Sequence, residues 1–194
     1  KYLLSLSDAN RIETVLMRFT GRVTACISSQ VGCPLDCKFC ATASMKLKRN
    51  LTAGEIVAQY LMVDRMLPMS LSNVVFMGMG EPLHNPDAVL PATRILIDHE
   101  GLDLSARRVT VSTSGIVPAI DRLGQESPVQ LAVSLNATTD EVRDWLMPIN
   151  RKYPIATLLE SIRRYPLRPR ARVLVEYVLL AGVNDGASDV ERLS

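Results

Sequence analysis

The chain has 194 residues, of which 47% are hydrophobic and 22% are charged, and its formal net charge is +2. This composition excludes a disordered or fibrous protein, and the length fits one large domain with a buried core. The small positive charge does not by itself indicate nucleic-acid binding, and no apolar run reaches the roughly 18 residues of a membrane span. We therefore expect one globular domain without a membrane partner.

The first predicted element is an antiparallel hairpin over residues 11–28. Residues 11–19 and 22–28 are rich in β-branched and apolar side chains, and a glycine lies between them. Such a pattern is typical of two strands joined by a tight turn. Cys26 lies near the end of the second strand.

Three of the four cysteines follow the hairpin in one short loop. Cys33, Cys37 and Cys40 have the spacing C-x3-C-x2-C, which allows their thiolates to converge on a metal centre. A structural zinc site uses four ligands, and an ordinary four-iron cluster uses four cysteines, so three protein ligands would leave one metal position open for chemistry. Because the cysteines are clustered and no export signal is visible, we expect a reducing, cytoplasmic location rather than a disulfide framework.

Predicted helices and strands alternate after this loop. Strands are expected at 73–77, 109–111, 129–133 and 172–180, and helices at 52–66, from 85 onward, at 117–123, up to 148, at 155–165 and after 184. When the strand at Cys26 is counted as the first, this gives five βα units and an α/β fold with a parallel sheet. Periodicity does not separate an open sheet from a barrel.

Local signals fix several of these helix starts. Thr52 with Glu55, and Thr138 with Glu141, have the spacing of capping boxes. Asn85 precedes a proline and is expected to cap the next helix. Glu176, inside an otherwise apolar strand, is expected to pair with an arginine.

Polar residues follow the ends of the predicted strands, where parallel barrels place their chemistry. The second strand ends near Gly80 and Glu81, the third at Ser112, and the fourth at Ser134 and Asn136. Glycine lets a ligand approach the backbone closely, and hydroxyl and amide groups suit a ribose or an amino-acid carboxylate. Serine and asparagine also cap helices, so this simpler reading stays open.

Basic residues crowd one segment near the C-terminal end. They surround Tyr165 and comprise Arg163, Arg164, Arg168, Arg170 and Arg172. Such a cluster is either a solvated face or a site for RNA phosphates.

Several motifs together resemble a known superfamily. The three-cysteine loop, with Phe39 directly before Cys40, resembles the cluster motif of radical S-adenosylmethionine (SAM) enzymes, and Gly80–Glu81–Pro82 resembles their amino-group motif. More narrowly, the chain is similar to the RNA adenine methyltransferases of that superfamily. The segments that carry this similarity are 26–33, 49–51, 78–83, 111–115 and 147–150.

The resemblance implies a partial (β/α)6 barrel, truncated at about five βα units, with residues 1–194 as a radical SAM core domain. The rest of the barrel and an N-terminal accessory domain of the parent protein would lie outside this chain. It also implies a [4Fe–4S] cluster on Cys33, Cys37 and Cys40. The SAM contacts that it implies are Gly80, Glu81, Ser112, Ser134, Leu135 and Asn136.

The resemblance further implies methylation of carbon 2 of an adenine in 23S rRNA and in tRNA. The partners would then be these RNAs and an external electron donor such as flavodoxin, and the protein would be a monomer. Cys26 corresponds to a cysteine that resolves the enzyme–RNA crosslink and forms a disulfide with a methyl-carrying cysteine, and Glu13 corresponds to a proton acceptor. A buried structural thiol and an exposed hairpin carboxylate are the alternative readings of these two residues.

In the family, the methyl-carrying cysteine lies beyond residue 194. We therefore expect residues 1–194 alone to bind the cluster without methylating RNA. Three other functions remain open: carbon-8 methylation of adenine, a radical SAM reaction on another substrate, and a zinc-stabilised RNA-binding module. The last would bind zinc instead of an iron–sulfur cluster.

Overall fold

The computed structural model describes residues 1–68, 70–169 and 171–194, so Met69 and Arg170 of the basic segment lie outside the described residues. Within these ranges the strands are β1 Tyr2–Ser5, β2 Arg11–Phe19, β3 Arg22–Cys26, β4 Gln30–Val31, β5 Arg49–Asn50, β6 Asn73–Phe76, β7 Val109–Thr113, β8 Gln130–Ser134 and β9 Leu174–Glu176. The helices there are α1 Ala41–Ser44, α2 Ala53–Asp64, α3 Pro86–Ile97, α4 Val117–Glu126, α5 Asp140–Leu146, α6 Ile155–Arg164 and α7 Ala187–Leu193. Short 3-10 turns lie at Pro82–His84, Ala106–Arg108 and Pro148–Arg151.

One sheet organises the molecule, with the strand order β1-β2-β3-β6-β7-β8-β9. The first three strands pair antiparallel, which confirms the predicted hairpin, and β3 and β6 to β9 pair parallel. Five parallel strands with intervening helices confirm the α/β prediction. In the described ranges β1 and β9 each pair with one neighbour, so the sheet is open, which is consistent with a partial barrel.

The central strands of the sheet are buried, whereas the edge strands β1 and β9 are partly exposed. All five residues of β7 are buried, as expected of a central parallel strand. Helix α2 begins with the predicted capping box, in which the Thr52 hydroxyl accepts from the Glu55 amide and the Glu55 carboxylate accepts from the Thr52 amide. These local contacts fix where the helix starts.

The other two predicted helix signals behave differently. Helix α5 is preceded by Thr139 without a side-chain cap, so the capping box of Thr138 and Glu141 is wrong. The Thr138 hydroxyl donates to Asp189 instead. Asn85 occupies the N-cap position of α3, directly before Pro86, as predicted. Its side chain makes no cap hydrogen bond, because its amide donates to the backbone carbonyls of Ser29 and Leu51, at 3.0 and 2.8 Å.

Some elements differ from the predicted boundaries or were not predicted. Strand β1 and the two-residue ladder of β4 with β5 were not expected, and β9 is shorter than the predicted 172–180. The last helix begins at Ala187 after Gly186, later than expected. No helix in the described part of the chain combines the length and the apolar character that crossing a membrane requires.

Candidate functional site

A cavity of about 240 Å³ lies at the carboxyl ends of the parallel strands. It is bounded by the cysteine loop on one side and by the ends of β6, β7, β8 and β9 on the other. The polar and sulfur-bearing residues that line it are Cys33, Cys37, Cys40, Thr42, Met77, Glu81, Ser112, Thr113, Ser114, Ser134, Met147 and Glu176. The predicted cysteine loop, amino-group motif and strand-end serines therefore meet at one place.

The cysteine loop is held in place by backbone contacts. Gly32 has φ +77°, and a Cβ on it would lie 1.7 Å from the carbonyl oxygen of Lys46, so only glycine fits there. The Lys38 amide donates to the carbonyl of Leu146 at 2.9 Å, which attaches the loop to the end of α5. The loop is therefore anchored both to the chain that follows it and to a distant helix.

The three thiols of this loop are free and differ in exposure. Cys37 is buried, Cys33 is half-buried and Cys40 is exposed. Burial raises the pKa of Cys33 to about 11 and that of Cys37 to about 12, and for Cys37 a hydrogen bond from Ser114 opposes the shift. Metal binding must displace these protons, so it becomes stronger as pH rises.

The arrangement of these thiols suits a cluster better than a single ion. Cys33, Cys37 and Cys40 influence one another electrostatically and line the same cavity. Yet nowhere in the described ranges are three His, Cys, Asp or Glu side chains placed to hold one metal ion. A structural zinc needs four ligands at about 2.0–2.3 Å, whereas the cysteines of an iron–sulfur cluster bind separate irons. The donor set fits a [4Fe–4S] cluster with one iron left open.

Glu81 connects two of the strand ends that face the cavity. It is 3% exposed, and its carboxylate accepts from the Leu83 amide at 3.0 Å and from the Ser114 amide at 2.7 Å. Burial raises the pKa of Glu81 despite these donors. A buried carboxylate of this kind is suited to a cationic group such as an ammonium.

The glycines beside Glu81 are required by the protein's own packing. A Cβ on Gly80, whose φ is +98°, would lie 2.5 Å from Cβ of Gln30, and one on Gly78 would lie 2.7 Å from the Ile27 carbonyl. We expected glycine here for the approach of a ligand. The structure gives a different reason, namely the close passage of the β3–β4 segment.

Glu176 is the functional candidate that sequence reasoning missed. Its carboxylate accepts from the Ser112 hydroxyl at 2.6 Å and from the Ser134 hydroxyl at 3.0 Å. In the described part of the chain these serines, and not an arginine, are its hydrogen-bond partners. The expectation that functional residues follow the carboxyl ends of parallel strands also applies to the fifth strand, and it would have identified Glu176.

Leu135 and Asn136 are buried near the cavity but do not line it. Asn136 is 1% exposed and has φ +55°. Its amide donates to the sulfur of Met147 at 3.4 Å and accepts from the Val178 amide at 2.8 Å, while Asn184 donates to its backbone carbonyl. The side chain of Asn136 is therefore used inside the protein, and a SAM contact by it stays a prediction.

Cys26 and Glu13 lie outside the lining of the cavity. Cys26 is 8% exposed, and burial, reinforced by the charge of Glu176, raises its pKa to about 11. Glu13 lies on β2, where its carboxylate is 2.8 Å from the ammonium of Lys1. Cys26 is thus next to the site, whereas Glu13 is bound to a neighbouring strand.

Comparisons with known proteins agree with this geometry. Residues 27–193 match the model of the radical SAM superfamily. The chain is 56% identical over its whole length to "Dual-specificity RNA methyltransferase RlmN" of Pelobacter propionicus and 55% identical to the protein of the same name from Geobacter sulfurreducens. It covers 55% and 53% of those proteins, so it spans about half the length of the curated relatives that it matches.

A solved structure gives the same result. The crystal structure of a radical SAM methyltransferase from Sphaerobacter thermophilus superposes with a TM-score of 0.94 and 50% sequence identity. The match covers 98% of this chain and 57% of the other.

Proposed function

The chain belongs to the radical SAM superfamily, and from that membership we propose that it is the core of an RNA methyltransferase that methylates carbon 2 of adenine in 23S rRNA and in tRNA. The observation that carries the proposal is the meeting of three free cysteines with Glu81, Ser112 and Ser134 around one cavity. The similarity to methyltransferases of that printed name supports it.

Cys33, Cys37 and Cys40 would hold the [4Fe–4S] cluster. Together with SAM, a bound cluster supplies one-electron chemistry, which is needed because carbon 2 of adenine is an electron-poor aromatic carbon. The chain's own residues bind and orient the cofactor. Glu81 would accept from its ammonium group, and Gly80 contributes backbone at the same end.

Ser112 and Ser134 would contact other polar groups of SAM. Because both hydroxyls donate to Glu176, their oxygens are left to accept hydrogen bonds from the cofactor, and ribose hydroxyls are suitable donors. Leu135 and Asn136 would contribute through the backbone that follows Ser134. Cys26 would act on the RNA adduct, and Glu13 would accept a proton when RNA is bound.

The remaining partners follow from this activity. An external one-electron donor such as flavodoxin would reduce the cluster, and the RNA substrates place the protein in the cytoplasm. We expect a monomer. The target adenine must leave its stack to reach the cavity, so the substrate is a single-stranded or loop region of RNA.

Anaerobic reconstitution of the full-length protein, followed by mass spectrometry of treated RNA, tests the proposal. We expect a brown iron–sulfur chromophore and 2-methyladenine in 23S rRNA and in tRNA. Cys33→Ala should lose both, whereas Cys26→Ala should keep the chromophore and lose product. Methylation at carbon 8, methylation of another substrate, or colourless bound zinc would each overturn the proposal.

A further inference from the structure

Arg143 of α5 is a buried cation beside the proposed metal site. Its side chain is 0% exposed. The guanidinium makes four hydrogen bonds: to the carbonyl of Ser114 at 2.8 Å, of Ser134 at 3.0 Å and of Leu135 at 2.9 Å, and to the amide oxygen of Asn150 at 2.9 Å. One side chain thus connects the ends of β7 and β8 with the turn after α5.

The acceptors of Arg143 carry no formal charge. Asn150 separates the guanidinium from the nearest carboxylates, because its amide donates to Asp140 and Asp144 at 2.9 and 2.7 Å. Burial lowers the pKa of Arg143 to about 10, so it stays charged at neutral pH. A buried charge without a direct counter-ion is costly and is retained where it has a use.

Cys37 is the proposed cluster ligand that lies against the same elements as Arg143. The amide of Lys38, next to Cys37, donates to the carbonyl of Leu146 at the end of α5 at 2.9 Å. Ser114 is next to both residues, since it lines the cavity together with Cys37 while its carbonyl accepts from Arg143 at 2.8 Å. Cys37 also packs against Leu146, the last residue of the helix that carries Arg143, and against Met147, which follows that helix.

We propose that Arg143 is a positioning residue of the metal site: it fastens the surface on which Cys37 packs to the ends of β7 and β8, and its charge raises the reduction potential of the bound cluster. This inference rests on the proposed function, because it presumes that Cys37 ligates the cluster. The added electron makes a cluster more negative, and a nearby fixed cation stabilises that state.

The test compares Arg143→Gln and Arg143→Lys in the anaerobically reconstituted full-length holoprotein. Iron content reports cluster uptake, and titration followed by electron paramagnetic resonance reports the midpoint potential. Arg122→Gln is the matched control, because it removes a surface cation that bonds to Asp87 and Glu126 on the outer side of α4. We expect Arg143→Gln to have a more negative midpoint potential than the wild type, Arg143→Lys to restore most of the difference, and Arg122→Gln to match the wild type.

The experiment separates failure of this inference from failure of the proposed function. If the wild type takes up no cluster, the proposed function fails. If the wild type is loaded and Arg143→Gln has an unchanged potential, this inference alone is overturned. If Arg143→Gln takes up no iron, the result for Arg143→Lys is decisive. Iron uptake by Arg143→Lys with the midpoint potential of the wild type supports the inference. A lowered midpoint potential of Arg143→Lys, despite its retained charge, overturns it.

Discussion

The hydroxyl groups of Ser112 and Ser134 share one orientation because both donate to the carboxylate of Glu176. A glutamine at position 176 has the same shape, but both hydroxyls donate to one oxygen, Oε2, and an uncharged amide oxygen in that place accepts their hydrogen bonds more weakly than a carboxylate does. We expect Glu176→Gln to weaken SAM binding by about tenfold, the value of one hydrogen bond of about 1.4 kcal/mol.

Equilibrium dialysis of SAM against the reconstituted protein would measure this effect. Glu160→Gln, on the exposed side of α6, is the charge-matched control and should bind SAM as the wild type does. If the two variants had equal affinity, Glu176 would not orient the serines.

Cys26 is the least exposed of the four cysteines. Its pKa of about 11, against 9.0 for an ordinary thiol, lowers the thiolate fraction at pH 7.5 by about a hundredfold. In the metal-free protein we expect iodoacetamide to modify exposed Cys40 first and Cys26 far more slowly, as followed by peptide mass spectrometry. Urea should remove the difference, and rapid labelling of Cys26 in the folded protein would contradict the prediction.

At the scale of the elements, Gly80 allows the β6 loop to pass the β3–β4 segment. Gly80→Ala adds a Cβ in collision with Gln30 at a positive φ, whereas Gly21→Ala meets nothing within 4 Å at a similar φ. We expect Gly80→Ala to lower the free energy of unfolding by about 1–3 kcal/mol more than Gly21→Ala. Urea denaturation of both variants measures this, and equal losses would show that only backbone conformation matters.

Arg49 joins three elements near the cysteine loop. Its guanidinium bonds to Asp8 in the β1–β2 turn at 2.5 Å and to both carboxylate oxygens of Glu55 at the start of α2, at 2.8 and 2.9 Å. These bonds hold the pKa of both carboxyls below their usual range. A lowered carboxyl pKa stabilises the fold above the unfolded value of about 4 and loses that contribution as pH falls.

Arg49→Gln should therefore destabilise the protein at pH 7 more than at pH 3. For the pair with Glu55 the loss at neutral pH is about 0.5–1 kcal/mol, since both side chains are partly exposed. Urea unfolding at the two pH values measures the difference. An equal loss of stability at both pH values would contradict this reading.

The two capping boxes show what could be predicted from sequence. Thr52 and Glu55 bond to each other's backbone, so a pattern of four residues was sufficient. Thr138 has the same local pattern, but its hydroxyl bonds to Asp189, 51 residues later. Glu176 was misread for the same reason, since its partners come from β7 and β8. Contacts within one element can be predicted from spacing, whereas contacts between elements need the register of the sheet.

At the scale of the whole molecule, the predicted cysteines, Glu81 and the strand-end serines meet at one edge of the sheet because parallel strands end there. The sequence alone did not predict on which edge of the sheet the basic segment lies. Arg168 and Arg172 lie beside Arg107 and Gln130 at the amino end of β8, the edge opposite to the cavity, and Arg164 pairs with Asp121 at 2.8 Å. Lys46 and Lys48, which follow the cysteine loop, are exposed, and the Lys46 amide donates to the carbonyl of Ala43, a residue that lines the cavity.

RNA binding by the full-length protein should reflect this placement. We plot the logarithm of the RNA association constant against the logarithm of the salt concentration. We expect Lys46→Ala and Lys48→Ala each to reduce the magnitude of the negative slope by about 1, as for a lost phosphate contact. Arg168→Ala and Arg172→Ala should leave the slope unchanged. Filter binding across a salt series measures both, and the reverse pattern would place RNA at the opposite edge.

The attachment of the cysteine loop to distant residues has a consequence for biosynthesis. Cys37 packs against Ala137, Leu146 and Met147, and Leu180 and Val183 join the same group. A ribosome that has made residues 1–100 has released every thiol of the loop but none of the surface that fixes Cys37. Cluster insertion is therefore expected only after residue 183 has left the exit tunnel, and the nascent chain must keep its thiols reduced until then.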